Sequence, residues 1–533
     1  MLLEQQRTLD IDGQSLTIED VVWCARAGGN GSLSPGAAAA VERTHRLKHD
    51  LVDREIPIYG VTTGFGDSAH RQIAPGKAAA LQDNLLRNLG AGVGPVAAPD
   101  VTRATILLRA NCLAKGNSGV RTRVVRALLD LLEHDILPCI PERGSVGASG
   151  DLVPLSYIGS TLVGEAPVRY RGEVMEAAQA LELAGLEPLT LEAKEGLALT
   201  NGTSFMTAFA ALATHDARRL AVVADICTAM ASEALLGNRG HFNAFIFEAK
   251  PHPGIVESGR LVREMLADSR LAVDCEDLYE EHDLNGRGYV QLERQVQDRY
   301  SIRCAPHVVG ALRDTTRWVG EWVEIEANAS DDNPLFDAEG ERVHSGGNFY
   351  GGHITQAMDS LKVGVANLCD LLDRQLELVV DEKFNRGLTP NLIPPFGYDD
   401  PRNGLHHGFK GMQISASSLA AEALKLSNPA SVHSRSTEAH NQDKVSMGTI
   451  AARDARTIVE LAEHIAAMHL IAVCQALDLR GIEQAGPYSR AVHARIRERV
   501  PYLDGDRRTD TDIAAVVDLI RRGDIDELAP AGR

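Results

Sequence analysis

Residues 144–152, Gly-Ser-Val-Gly-Ala-Ser-Gly-Asp-Leu, form a segment whose own backbone could become a reactive group. Small residues permit a tightly bent loop, and neither Ala148 nor Gly150 has a bulky side chain that would block attack of the Gly150 amide nitrogen on the Ala148 carbonyl carbon. Loss of water from that ring and from Ser149 would leave a methylene conjugated to an imidazolone, an electrophile that no ordinary side chain supplies. An ordinary glycine-rich turn explains the segment equally well.

The sequence does not match the motifs of two common functional loops. The glycine-rich run at residues 90–94 follows a polar helical stretch at residues 81–89, whereas a dinucleotide-binding loop follows a buried strand. Residues 147–150, Gly-Ala-Ser-Gly, differ from the Gly-x-Ser-x-Gly elbow of many hydrolases. We therefore expect neither a nucleotide cofactor nor a serine hydrolase.

The histidines do not predict a metal centre. His45 and His49 have the i, i+4 spacing of metal ligands, but no third ligand stands near them in the sequence. We interpret this pair as a solvated helix face. His464 and His469 lie on an apolar helical stretch and are expected in the core or in a pocket.

Seven sequence blocks, in the same order along the chain, resemble the aromatic amino acid ammonia-lyases and aminomutases that carry a 4-methylidene-imidazol-5-one (MIO) group. The likeness runs from about residue 15 to beyond residue 480. The blocks are residues 59–66 (Tyr-Gly-Val-Thr-Thr-Gly-Phe-Gly), 147–152 (Gly-Ala-Ser-Gly-Asp-Leu), 199–204 (Leu-Thr-Asn-Gly-Thr-Ser), 300–304 (Tyr-Ser-Ile-Arg-Cys), 332–334 (Asp-Asn-Pro), 346–349 (Gly-Gly-Asn-Phe) and 441–443 (Asn-Gln-Asp).

The resemblance implies a role for each matching residue. MIO would form autocatalytically from Ala148, Ser149 and Gly150, with no metal and no nucleotide. Tyr59, on a loop that covers the site, would remove the β-proton of the substrate. The remaining expected site residues are Asn201 and Tyr300 beside the MIO ring, Arg303 on the substrate carboxylate, and Gly66, Asn88, Leu89, Gln297, Asn333, Phe349, Glu438 and Gln442 around the substrate.

Three of these assignments carry a condition or an alternative. A tyrosine with the usual pKa of about 10 is a poor base at neutral pH, so positive charge or hydrogen bonds must lower the pKa of Tyr59. Arg303 could instead form a structural ion pair, and Phe349 could be a plain core residue. The chain also departs from the family pattern at residues 350–352, Tyr-Gly-Gly in place of Gly-Gln, and at Asp67-Ser68 after the Tyr59 loop.

The implied reaction starts with addition of the substrate amine to the methylidene. Tyr59 then takes the β-proton, the amino group is eliminated as ammonia, and an arylacrylate remains. An aminomutase returns the amine to the β-carbon, and the sequence leaves lyase and aminomutase open. Asn88 and Leu89 fall on the family's ring-selecting pair. Leu89 and Gln442 argue against histidine, and the Asn88 amide could pair with a ring hydroxyl. We therefore expect tyrosine as the preferred substrate and phenylalanine as the next, with histidine as the less favoured alternative.

Two functions of other classes are disfavoured by the sequence. A non-catalytic helical scaffold descended from such an enzyme would lack Tyr59 or the segment that could form the electrophile, but both are present. A nucleotide-binding enzyme would need a strand before Gly90, and the residues before Gly90 have helical patterning instead.

The elements that must position these residues are mostly long helices. Residues 205–236, 355–383 and 445–479 each have helical patterning far longer than an average helix, and residues 101–135 continue that patterning. Hairpins are predicted at Asp12-Gly13 and within residues 168–175, and Thr17-x-x-Asp20 predicts a capping box. The expected fold is mainly α, a long-helix bundle like that of histidine and phenylalanine ammonia-lyases. The expected division is a mixed N-terminal region (1–200), the bundle (201–500) and a C-terminal appendage (501–533).

Composition and sequence patterns limit the binding partners and the cellular location that we expect for this chain. The 533 residues include 54 Lys+Arg and 73 Asp+Glu, a net charge of −19, and no basic tract that would bind nucleic acid. The start, Met-Leu-Leu-Glu-Gln-Gln, lacks the order of a signal peptide, and Asp225 and Glu233 interrupt the apolar residues 220–236, so we expect a cytoplasmic protein that does not enter a membrane. The resemblance implies a homotetramer whose active sites are shared. Free thiols are expected at Cys24, Cys112, Cys139, Cys227, Cys275, Cys304, Cys369 and Cys474.

Overall fold

A computed structural model describes residues 7–274, 276, 284–292 and 295–531. The chain divides into two compact units. The first unit contains residues 1–215, 319–360 and 429–456, and the second contains residues 216–318, 361–428 and 457–533. Each unit is therefore assembled from three separate stretches of chain.

The described residues form mostly α-helices. In the first unit these are α1 Ile18–Arg26, α2 Pro35–Asp53, α3 Ala78–Leu89, α4 Pro99–Ala114, α5 Thr122–Glu133, α6 Leu152–Leu162, α7 Ala177–Ala184 and α8 Glu195–Thr200. Four long helices have residues in both units: α9 Ser204–Ala234, α13 Ala305–Ala327, α14 Gly352–Val380 and α16 Gly448–Arg480. The second unit adds α10 Ala244–Glu248, α11 Pro253–Leu266, α12 Tyr300–Arg303, α15 Lys410–Leu426, α17 Pro487–Arg497 and α18 Asp510–Arg522.

All the described strands belong to the first unit and are short. They are β1 Thr8–Ile11, β2 Asn30–Leu33, β3 Val93–Val96, β4 Leu137–Pro138, β5 Pro141–Arg143, β6 Pro167–Tyr170, β7 Glu173–Glu176, β8 Leu335–Asp337 and β9 Arg342–His344. Antiparallel pairs join β3 with β5, β4 with β6, β6 with β7, and β8 with β9. The β6–β7 hairpin is the one predicted within residues 168–175.

The hairpin predicted at Asp12-Gly13 is wrong. Strand β1 pairs in parallel with β2, and helix α1 connects the two strands. The Asp12 carboxylate accepts hydrogen bonds from the backbone N–H groups of Gln14 and Ser15, so this turn leads into the helix instead of reversing the strand. The capping box predicted for that helix is confirmed, with Thr17 and Asp20 capping each other.

The predicted long helices at residues 205–236, 355–383 and 445–479 are confirmed as α9, α14 and α16 within a few residues at each end. Residues 101–135 instead form two helices, α4 and α5, because Gly116 adopts a left-handed backbone with φ +82° after α4. Every residue of α4 from Val101 to Ala114 is buried. The predicted apolar stripe is therefore only part of a helix that is covered on all sides.

Helix α16 is long and apolar enough to cross a membrane, but 78% of its most apolar window is buried within the structure. Burial of that kind is typical of a core helix. The thiols of the described cysteines are free, and those of Cys24, Cys112, Cys139, Cys227, Cys369 and Cys474 are buried, with Cys304 half-buried. Cys275 lies outside the described residues.

Candidate active site

The loop that could form an electrophile is sharply bent. Gly147 and Gly150 both have left-handed backbones, with φ of +70° and +68°, a conformation that glycine adopts without strain. A Cβ at Gly150 would lie 2.0 Å from the carbonyl oxygen of Gly202, and one at Gly147 would lie 2.2 Å from Ser446 Oγ. Both positions therefore require glycine for space as well as for conformation.

Two distant parts of the first unit hold this loop. The N–H of Asp151 donates to the carbonyl oxygen of Gly202 over 2.7 Å. On the other side, the N–H groups of Ser446 and Met447 donate to the carbonyls of Gly147 and Val146 over 3.2 and 3.0 Å. The bend is thus fixed by contacts with residues far along the chain.

A buried carboxylate anchors the end of the loop. Asp151 accepts hydrogen bonds from the Met206 N–H over 2.8 Å, from Ser145 Oγ over 2.9 Å and from Thr449 Oγ1. Complete burial raises the pKa of Asp151 to about 6, although these hydrogen bonds favour the charged form. Asp151 thereby connects the loop of residues 144–151 to the starts of helices α9 and α16.

Ser149 is the residue on which amide donors converge. Its carbonyl oxygen accepts hydrogen bonds from Asn201 Nδ2 over 3.0 Å and from the Gly202 N–H over 3.2 Å. Its hydroxyl oxygen lies 3.3 Å from the donor Gln442 Nε2. The amide of Gln442 is oriented by Thr437, whose hydroxyl donates to Gln442 Oε1 over 2.9 Å.

A buried ion pair positions Asn201. Arg109 donates to the carbonyl oxygen of Asn201 over 2.8 Å and pairs with Asp331 over 2.6 Å. Burial opposes the charge of Arg109, but the carboxylate of Asp331 outweighs it and raises the pKa of Arg109 well above its usual value. Because a Cβ at Gly202 would lie 2.1 Å from Arg109 Nη1, Gly202 allows the guanidinium to approach the backbone.

Tyr59 lies on a turn built by threonine hydroxyl groups. The N–H of Ile58 donates to Thr62 Oγ1 over 2.8 Å, and the N–H of Gly60 donates to Thr63 Oγ1 over 3.1 Å. The Gly66 N–H donates to the Tyr59 hydroxyl over 3.0 Å. Consequently the Tyr-Gly-Val-Thr-Thr-Gly-Phe-Gly block forms a closed loop that returns to its own tyrosine.

The expected lowering of the pKa of Tyr59 is not found in the described chain. Burial raises the pKa of Tyr59, the Gly66 hydrogen bond lowers it, and the negative charge of Glu438 raises it, with a net increase. The described chain therefore does not by itself supply the activation that a tyrosine base requires.

Glu438 connects the Tyr59 loop with the segment that carries Gln442. Its Oε1 accepts from the Asp67 N–H over 2.9 Å, and its Oε2 accepts from Asn441 Nδ2 over 2.8 Å. Glu438, Ala439 and His440 all have positive φ, from 51° to 63°. Successive left-handed residues other than glycine are costly and tend to occur at functional sites.

These residues surround a cavity of about 390 Å³, within the size range of small-molecule sites. Its wall is part apolar and part polar. The lining residues are Tyr59, Phe65, Gly66, Leu85, Asn88, Leu89, Ala148, Ser149, Leu152, Leu197, Asn201, Asn333, Gly346, Phe349, Glu438, Asn441, Gln442, Asp443 and Lys444, all in the first unit.

Most of the predicted site residues therefore meet at one cavity. Gly150 is buried against Gly202 behind the wall. Gln297, Tyr300 and Arg303 belong to the second unit and are not among the described residues that line the cavity. The Tyr300 side chain is 72% exposed, and the Arg303 guanidinium lies over its ring at 4.5 Å.

Several residues in or beside the site were not predicted from the sequence. Leu85 lies on α3 one turn before Leu89, so helical spacing could have revealed it. Lys444 directly follows the Asn-Gln-Asp block and brings a positive charge to the wall. Arg109 and Asp331 meet from positions 222 residues apart, for which the sequence offers no signal.

The interpretation of His45 and His49 as a solvated helix face without a third ligand is wrong. The structure places Glu192 Oε2 3.1 Å from His45 Nε2 and 3.2 Å from His49 Nε2, and the two nitrogens are 3.0 Å apart. Glu192 stands more than 140 residues after the histidines, so the local sequence gives no sign of this cluster.

Comparisons with known proteins agree with this architecture. Residues 16–498 match the family described as aromatic amino acid lyase. The chain is 40% identical over 523 residues to a histidine ammonia-lyase of Gloeobacter violaceus, covering 98% of each chain. It is 41% identical over 533 residues to a tyrosine ammonia-lyase of Cupriavidus metallidurans, covering 97% of each.

A solved structure is also similar over the full length. The crystal structure of a tyrosine aminomutase from Streptomyces globisporus superposes with a TM-score of 0.93 at 37% identity, covering 98% of each chain. At such identity and coverage the similarity includes both the fold and the order of the site segments.

Proposed function

Because the chain belongs to the aromatic amino acid lyase family, we propose that it is an ammonia-lyase that converts tyrosine to the corresponding arylacrylate, using MIO formed from Ala148, Ser149 and Gly150. The observation that carries this proposal is that Tyr59, Ser149 and Asn201 line the same cavity. A proton-accepting group and the segment that could become an electrophile thereby face the same space.

The residues present fit the MIO group. The loop bends at two left-handed glycines, and Ala148 and Ser149 are half-buried on the cavity wall. Asn201 and Gly202 donate to the Ser149 carbonyl oxygen, which would remain an oxygen acceptor in the ring. When formed, MIO supplies an electrophilic methylene that accepts the electron pair of the substrate amine.

Tyr59 is proposed to take the β-proton of the substrate. The Gly66 N–H donates to the phenolic oxygen and would stabilise the phenolate, which takes the proton and becomes the neutral phenol. Asn201 and Gln442 hold the atoms of Ser149 in place through their amide donors. Phe65, Leu85 and Leu197 contribute apolar wall that keeps water away from the charge.

The substrate preference rests on the residues near the ring-selecting pair. Asn88 and Leu89 both line the cavity. The Asn88 amide could donate to or accept from a phenol, and neither Leu89 nor Gln442 offers a charge to an imidazole. Asn88 is exposed in the single chain, so the cost of leaving its amide unpaired applies only when a bound ring covers it. Relatives named for histidine and for tyrosine are equally similar, so this preference depends on the cavity residues.

A second candidate function is a tyrosine 2,3-aminomutase. The observation that favours it is the TM-score of 0.93 with a tyrosine aminomutase. The same cavity groups would serve both reactions, and retention of the acrylate would decide between them.

We further propose a cytoplasmic homotetramer in which another copy of the chain completes each site. Tyr300 and Arg303 are not among the residues that line the described cavity, and Tyr300 is largely exposed. Both features fit residues that act in a neighbouring copy.

The test is ultraviolet absorbance of the purified protein mixed separately with tyrosine, phenylalanine and histidine, followed by chromatography for a β-amino acid. We expect a conjugated product from tyrosine fastest, and none from the variant Ser149→Ala. A β-amino acid as the main product would establish the aminomutase instead. Absence of turnover with all three amino acids would refute the proposed function.

A further inference from the structure

The cluster of His45, His49 and Glu192 lies at the surface of the first unit, outside the active-site cavity. The two histidines lie on successive turns of helix α2, and Glu192 belongs to the segment that precedes α8. Their side chains are 14%, 47% and 34% exposed, respectively. Solvent therefore reaches the cluster on the His49 side.

Hydrogen bonding cannot satisfy this triangle of atoms by itself. The three contacts between the two Nε2 atoms and Glu192 Oε2 measure 3.0 to 3.2 Å. Each Nε2 carries either a hydrogen or a lone pair, and a carboxylate oxygen carries no hydrogen. If both nitrogens donate to Glu192, two donors face each other. If one nitrogen is bare, its lone pair faces the carboxylate. Among these three atoms alone one contact is therefore always repulsive, and the donor that faces the His49 nitrogen in the chain is Lys48 Nζ, 3.4 Å away.

A cation bound to all three atoms removes that conflict, because every lone pair then points towards it. Zinc–imidazole bonds of about 2.0 to 2.1 Å in a tetrahedral site place the ligand atoms roughly 3.3 Å apart, a few tenths of an ångström more than observed. We propose that His45, His49 and Glu192 form a binding site for a divalent transition metal of the zinc type, with the remaining coordination position open to solvent.

The surroundings include groups that support the site and one that competes with it. Arg121 Nε lies 3.4 Å from Glu192 Oε1, the oxygen that does not face the imidazoles, and so orients the carboxylate. Lys48 Nζ lies 3.3 Å from Glu192 Oε2 and 3.4 Å from His49 Nε2. The Lys48 ammonium is a cation that contacts two of the three proposed ligand atoms. A metal ion would therefore have to displace it or bind despite its positive charge.

The consequence for the fold is a second link between two segments that lead to the active site. Helix α2 ends shortly before the loop that carries Tyr59, and Glu192 precedes helix α8, whose C-cap residue is Asn201. A metal ion would join these two segments at the surface. Such a metal ion is not expected from the sequence, and its binding does not depend on the proposed lyase activity.

The experiment uses the full-length, tag-free protein treated with a chelator and then titrated with Zn²⁺ by calorimetry, and with Co²⁺ by visible absorbance. We expect one ion bound per chain, with the intense cobalt bands of a tetrahedral site and a higher Tm in the presence of Zn²⁺. His49→Gln should weaken binding at least tenfold and abolish the Tm increase. His49 is half-exposed, so this variant is expected to fold.

Two further variants test whether the ion binds at this cluster and not at a surface histidine elsewhere. Lys48→Met should tighten Zn²⁺ binding, because it removes the competing charge. His344→Gln should bind Zn²⁺ as the wild type does. His344 lies 3.7 Å from the Asp337 carboxylate, but it belongs to no cluster of three possible metal ligands among the described residues. If the wild type binds no Zn²⁺ or Co²⁺, Lys48 alone serves as the cation and the proposal fails. Unchanged binding in His49→Gln would also overturn it.

Discussion

The backbone N–H of Gly66 donates a hydrogen bond of 3.0 Å to the phenolic oxygen of Tyr59. An N–H can only donate, so the contact favours the phenolate, which is the form that can accept a proton. Gly66 has a left-handed backbone, and a Cβ there would lie 1.8 Å from Glu438 Oε1. The donor to the proposed base therefore depends on glycine at this position.

Tyr59→Phe should reduce kcat/KM by a factor of about 10² to 10⁴, the usual contribution of a general base. The substitution removes the phenolic oxygen but leaves the loop of residues 144–151 unchanged. Intact mass spectrometry should therefore give the same difference from the translated sequence as in the wild type, apart from the substitution itself. Wild-type rates in this variant would assign the proton transfer to another residue.

Glu438→Gln should shift the acid-side limb of the kcat/KM profile to lower pH. The negative charge of Glu438 raises the pKa of Tyr59, so neutralising it lowers that pKa and the base becomes available at lower pH. The matched control is Asp443→Asn, which removes another carboxylate from the same cavity wall and should leave the limb in place. A shift of equal size in both variants would contradict the specific role of Glu438.

The purified protein should be lighter than its translated sequence by two water molecules, one from ring closure and one from dehydration of Ser149. Ser149→Ala should recover one or both waters and abolish turnover. High-resolution mass spectrometry of the intact chain provides the measurement. An unmodified mass in a fully active wild type would exclude MIO as the electrophile.

Asn88→Phe should shift the ratio of kcat/KM values towards phenylalanine over tyrosine. An unpaired buried amide costs roughly 1 to 3 kcal/mol, equivalent to about a 5- to 150-fold change in specificity. Initial rates with both amino acids give the ratio. A wild type that prefers phenylalanine, together with an unchanged ratio in the variant, would show that Asn88 does not face the ring.

His469 should make the protein less stable in acid. It is fully buried on α16, burial lowers its pKa to about 3, and neither ring nitrogen has a hydrogen-bond partner among the described residues. Between its unfolded pKa of about 6.5 and pH 3, only the unfolded chain takes up the proton, so stability falls as the pH decreases.

In His469→Leu, the loss of unfolding free energy between pH 7 and pH 4.5 should therefore be smaller than in the wild type by about 2 to 3 kcal/mol. Urea denaturation at the two pH values measures this difference. Identical pH dependence in both proteins would mean that His469 does not titrate on unfolding.

Local patterns predicted local structure well. The Thr17–Asp20 capping box and the β6–β7 hairpin depend on neighbours within a few residues, and the long apolar runs of α9, α14 and α16 follow from periodicity. The fold class is confirmed by the solved relative. The contiguous division at residues 200 and 500 stays a prediction.

Long-range pairing could not be predicted in this way. The parallel partner of β1 lies beyond α1, and Glu192 meets His45 from 147 residues away. Neither contact produces a periodic pattern in the sequence, because both contacts depend on how distant segments pack and not on local propensity. The family resemblance predicted cavity residues from separate sequence blocks. The variants described above test their catalytic roles.

The contacts that bend residues 144–151 come from Gly202 and from residues 446–449, which are synthesised much later than the loop itself. A nascent chain that lacks residues 446–449 lacks these contacts, so under the proposed function ring closure would follow the synthesis of residue 449. Ring closure would then depend on folding of the first unit. Under the proposed function, a chain without these contacts would not form the electrophile.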